Sequence, residues 1–87
     1  MTTRYFIFEW VKKNERKPIV RHTKIDILKA DKDISAAVSA AAYMFGSIVG
    51  NLNKIDIIKI QEISKEGENI GLPIIPDSES AIIPIKK

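Results

Sequence analysis

The stretch Ile34 to Asn53, ISAAVSAAAYMFGSIVGNLN, runs for twenty residues without a charge between Asp33 and Lys54. Within it Ile34, Val38, Ala41, Phe45, Ile48 and Leu52 recur at alternating spacings of four and three, which is an apolar stripe at helical period. Asp31 or Asp33 is placed to accept hydrogen bonds from the free amides of the first turn, so the helix is expected to start at about Ile34 and to end at Asn51-Leu52-Asn53. The rest of its surface is made of Ser35, Ala36, Ser39, Ala40, Ser47 and Gly50, not of lysine and glutamate. Such a helix is expected to be covered on more than one side. A transmembrane reading finds some support in the Gly46 to Gly50 spacing, which lets helices approach closely, but the strongly apolar part falls short of the roughly 20 residues that cross a bilayer.

Upstream of the helix lie two strand patterns. From Arg4 to Lys12, Tyr5, Phe6, Ile7, Phe8, Trp10 and Val11 crowd together with only Glu9 as a central charge, as in a middle strand covered on both faces. Lys12 to Pro18 is a polar connection closed by proline, the signature of a hairpin. From Ile19 to Leu28 the pattern alternates: Ile19, Thr23, Ile25 and Ile27 share one side, while His22, Lys24 and Asp26 share the other.

Downstream, Lys54 to Ile63 reads as a third strand. Its apolar phase shifts between Ile57 and Ile58, which predicts a bulge there or burial of both faces. Lys65 to Asn69 is a polar break. Beyond it Pro73, Pro76 and Pro84 forbid a regular helix and disfavour a central strand, leaving an extended segment with the apolar residues Leu72, Ile74, Ile75, Ile82, Ile83 and Ile85.

Strand, hairpin, strand, helix, strand is a ββαβ unit of the α+β class. A right-handed crossover returns the third strand beside the first, giving a three-stranded antiparallel sheet of order 2-1-3 with one helix on one face. Residues 1–66 form this domain and residues 67–87 an extended tail. One helix covers one face of such a sheet, so the opposite face is expected to need a cover: the tail, a second copy of the chain, or a foreign protein.

At 87 residues there is room for one domain with a thin stability margin. The absence of cysteine removes disulfides and thiol chemistry and fits a reducing, cytoplasmic setting, and the N-terminal residues lack the pattern of a signal peptide. No catalytic constellation emerges. The only histidine, His22, sits in a strand between Arg21 and Thr23 with no nucleophile elbow nearby. Asp31 and Asp33 lack the further ligand positions of a calcium loop, and no phosphate-binding loop is present. The expectation is a non-enzymatic protein without cofactor, metal, membrane or small-molecule substrate.

Two kinds of binding surface remain. The tail residues Leu72, Ile74, Ile75, Ile82, Ile83 and Ile85 suit addition to a sheet edge or docking in a groove, so a protein-interaction module, either a homodimer or a complex, is the leading expectation. A small chain with seventeen isoleucines, eleven lysines and no cysteine suits a phage or mobile-element accessory protein, such as an inhibitor or assembly factor. The alternative is nucleic-acid binding through Lys12, Lys13, Arg16, Lys17, Arg21 and Lys24 on and after the hairpin. Phe6, Phe8 and Trp10 share one face and are expected to pack against the alanine-rich helix instead of stacking on bases. Ala30 to Ala36, Tyr43, Gly46-Ser47 and Ile57 to Ile63 are similar in order to the ββαβ units of an archaeal ribosomal protein family. That resemblance implies RNA contacts from a basic segment between helix and last strand, but Ile48 to Asn53 is uncharged here and does not supply them.

Overall fold

A computed structural model describes residues 2–30 and 32–76. Its elements are β1 (Arg4–Lys12), β2 (Arg21–Ile27), α1 (Ile34–Val49), a 3-10 turn η1 (Leu52–Lys54), β3 (Ile55–Ile63) and β4 (Asn69–Ile74). Over these residues the chain is α+β with one antiparallel sheet. That sheet has four strands in the order β2-β1-β3-β4, so the expected 2-1-3 order is extended by one strand.

The extra strand is drawn from the segment expected to lie outside the sheet. Pro73 lacks an amide, which would break a central ladder, but among the described residues β4 is an edge strand with a neighbour on one side only. The register with β3 also slips between the Ile60–Ile74 and Glu62–Ile70 pairs, and Gly71 sits in this irregularity at φ +68°. Gln61 fills the gap. Its buried side-chain amide donates to the carbonyls of Glu62 (2.9 Å), Ile70 (3.1 Å) and Gly71 (3.4 Å), so a side chain does part of what the interrupted backbone ladder leaves undone.

The predicted bulge in β3 is present. Glu9 pairs with Lys59 and Trp10 with Ile57, leaving Ile58 as the extra residue. The bulge keeps Ile55, Ile57 and Ile60 on the same side of the sheet as Phe8 and Trp10, facing α1. Ile55 and Ile60 are buried there, and Ile57 packs against the core.

Phe6, Phe8 and Trp10 project from the central strand into the core beneath α1. Phe8 stacks on Phe45 of the helix with ring centroids 4.6 Å apart, and Trp10 meets the same ring edge-on at 5.8 Å. Trp10 Nε1 donates to Thr23 Oγ1 at 3.0 Å, which satisfies its one polar atom. Ala37, Val38, Ala41 and Ala42 complete the helix's inner side, where small side chains leave room for the aromatic rings. Ile34 and Ile48, predicted as part of the inner stripe, are instead exposed.

Asp33 caps the helix by accepting from the Ser35 amide at 3.1 Å, while Asp31 lies outside the described residues. The helix stops at Val49 because Gly50 turns to φ +90°, two residues earlier than expected. Among the described residues no helix is long and apolar enough to cross a membrane.

Candidate functional site

Among the described residues the helix has one covered side. Its inner residues meet the sheet, but Tyr43 is 80% exposed, Ile48 59% and Met44 42%, with Ala36, Ala40 and Ser47 also facing water. Burial on more than one side was the expectation from the uncharged run. Within the described chain nothing covers the outer half, although it still lacks any lysine, arginine, aspartate or glutamate. A solvated helix normally carries charges there.

Beside this face, α1 leans over β1 and β2 and leaves a recess of about 350 Å³ against β4. Ile34 and Val38 form one wall, with Ile70, Leu72 and Ile74 on the other. The floor holds Arg4 and Glu62, joined through two hydrogen bonds of 2.8 and 3.1 Å, and Arg4 also donates to the Lys32 carbonyl at 3.1 Å. This ion pair ties the start of β1, the end of β3 and the approach to α1 into one unit. Of the tail residues expected to bind, Leu72 is 89% exposed, Ile75 is exposed, and Ile74 packs against the core; Ile82, Ile83 and Ile85 lie outside the described residues.

The opposite face of the sheet was expected to be greasy and in need of a cover. It is laced with charge instead. Glu9 on the central strand meets Lys59 of β3 at 3.1 Å and His22 of β2 at 3.7 Å, and Lys24 Nζ stands 5.0 Å from the centre of the Tyr5 ring. Tyr5, Ile7 and Val11 are half-buried among these side chains. Among the described residues His22 therefore has one carboxylate neighbour, and no group of three or more metal-ligating side chains is assembled.

The six basic residues predicted as one patch are divided. Arg21 is taken up by Glu15 through hydrogen bonds of 3.2 and 3.1 Å, and its guanidinium lies 5.6 Å from the centre of the Trp10 ring. Those hydrogen bonds hold the Glu15 carboxyl below the ordinary glutamate range. Lys24 belongs to the open sheet face. Lys12, Lys13, Arg16 and Lys17 remain at the hairpin end, and Lys13 meets Asp56 at 3.7 Å.

The chain matches no protein-family model, no curated protein and no solved structure. Sequence reasoning missed Lys54, which the fold carries to the hairpin end, where the Lys13 amide donates to its carbonyl at 2.9 Å. The topology itself held that signal, since the crossover returns the chain to the hairpin end at the start of the third strand. Tyr43 and Met44 were hidden in the same uncharged run that identified the helix.

Proposed function

We propose that this chain is a non-enzymatic protein-interaction module that pairs with a second copy of itself through the outer half of α1, flanked by the recess against β4. The observation that carries this reading is a helix face with Tyr43, Met44 and Ile48 in water and no charge from Ile34 to Asn53. Contiguous apolar surface of this kind marks association sites.

A second copy is the occupant for a physical reason. An uncharged face buries without leaving an unpaired ion on either side, and the small residues Ala36, Ala40 and Ser47 permit close helix approach around a projecting Tyr43. A two-fold axis near Ala40 would set each Tyr43 over the partner's small residues, the self-complementary arrangement of an isologous contact. The charge-laced sheet face offers no such match.

Light scattering coupled to size exclusion tests this directly. The expected mass at micromolar concentration is about twice the 9.8 kDa of the chain. Tyr43→Lys should return it to the monomer mass with its circular dichroism unchanged. A wild-type monomer up to about 100 μM would remove the proposal, since contacts weaker than that fall below about 5–6 kcal/mol.

A further inference from the structure

We infer that the pole formed by the β1–β2 hairpin and η1 contacts the phosphate backbone of a nucleic acid, with Lys12, Lys13 and Lys54 at its centre and Arg16 and Lys17 at its rim. The inference is independent of self-association through α1, because none of these five residues lies on that helix.

The charge of the molecule is segregated. Lys12, Lys13, Arg16, Lys17, Arg21 and Lys54 stand at this pole against Glu15 and Asp56, a balance of +4. Over the other described residues the charges cancel, six basic against six acidic. Among the described residues Arg16, Lys17 and Lys54 have no carboxylate at ion-pair distance, and Lys12 acts on Glu15 only through a longer-range charge interaction. Lys13 has Asp56 at 3.7 Å, but both groups are about half exposed, and a pair of that kind holds little in water.

The lysines also stand on a fixed frame. The Lys13 amide donates to the Lys54 carbonyl at 2.9 Å, which locks the end of β1 to η1, and Asn51 Oδ1 accepts from the Asn53 amide at 2.9 Å to fix the turn that presents Lys54. Lys12, Lys13 and Lys54 together rim a recess of about 300 Å³ whose floor includes Trp10, Val49 and Ile55. Duplex DNA carries a charge about every 1.7 Å of its axis. A polyanion of that density gains from several cations at one pole without a close shape match, which an acidic protein surface would need.

The same lysines lie near the carboxyl end of α1 and would also offset its partial negative charge. That role alone predicts a lower melting temperature on their removal and no ligand.

Fluorescence anisotropy of the full chain with labelled single-stranded DNA, duplex DNA and single-stranded RNA of one length decides between these roles. Binding to at least one of the three is expected, and which one it is identifies the source of the phosphates. The plot of log K against log salt should have a slope of magnitude about 2 to 4.5, as for three to five phosphates neutralised on single strands or duplex. Lys54→Gln alone should lower that magnitude by about one. The combined Lys12→Gln, Lys13→Gln and Lys54→Gln variant should bind at least about tenfold more weakly at 100 mM salt. The control is Lys29→Gln, Lys32→Gln and Lys65→Gln, which removes the same charge away from this pole and should leave affinity within about twofold.

Equal weakening by both triple variants would reduce the effect to diffuse net charge and overturn the site. So would a salt slope near zero, binding to an acidic protein surface but to none of the three probes, or a loss of melting temperature in the pole variant with no binding by wild type.

Discussion

The open face of the sheet and the outer half of α1 are both surfaces that one helix on one sheet leaves in contact with water, yet they are finished in opposite ways. On the sheet, Glu9, Lys59, His22 and Lys24 interleave with Tyr5, Ile7 and Val11, so that charge and long aliphatic stems occupy the space between apolar residues. On the helix, sixteen residues pass without a charge, and no described residue covers Tyr43 or Ile48. A sheet face built in the first way can remain in water. A helix face built in the second way is fitted for contact.

The strongest test of this contrast compares the two sides of the helix. Phe45→Ala removes a fully buried ring stacked on Phe8 and should cost about 3–5 kcal/mol in urea unfolding. For a domain of this size that approaches the whole stability. Tyr43→Ala, two residues earlier on the exposed side, should change the stability of the monomer by less than about 0.5 kcal/mol while weakening self-association.

A second comparison sets buried polar anchors against the surface pairs. Gln61→Leu leaves the Ile70 and Gly71 carbonyls without their side-chain donor and should cost about 1–3 kcal/mol, read as a shift of the urea midpoint. Glu9→Gln breaks contacts with Lys59 and His22 on the open face and should cost about 0.2–1 kcal/mol, diminishing as salt is added. An effect of Glu9→Gln as large as that of Gln61→Leu would mean that the charged face holds the fold together instead of merely keeping it wettable.

The smallest expected effect concerns Glu15. Its folded carboxyl titrates below the ordinary value because Arg21 hydrogen-bonds to the charged form, so its stabilisation is present above the unfolded value of about 4.3 and is lost as pH falls through the lower folded value. Wild type should therefore lose stability in that acid window more steeply than Glu15→Gln, as followed by circular dichroism against pH.

Much of the architecture was legible because each signal was local. The uncharged run located α1, Asp31 or Asp33 was legible as its cap, the Ile57–Ile58 phase shift called for a bulge or two-faced burial, and the alternation of Thr23, Ile25 and Ile27 marked the inward side of β2. β4 was not legible, although Ile70, Leu72 and Ile74 recur at every second position, because Pro73 stands among them and proline is tolerated only at an edge whose position a single strand pattern does not reveal. The candidate surfaces were less legible still. An uncharged helix has the same sequence whether its second side is buried or bare, and the union of Lys54 with Lys12 and Lys13 exists only after the crossover is made.

The interrupted pairing of β4 separates two levels of opening. Five of its six residues are exposed and its pairing with β3 is interrupted where the Gln61 amide bridges the gap, so this strand is expected to part from β3 while Phe6, Phe8 and Phe45 stay packed. Hydrogen exchange should then divide the sheet, with fast, denaturant-insensitive exchange at Ile70 and Leu72 and slow exchange, tracking global unfolding, at Phe6 and Phe8. On that outcome β4 is a latch that gives up the Ile74 contact while the aromatic centre of the core stays shut.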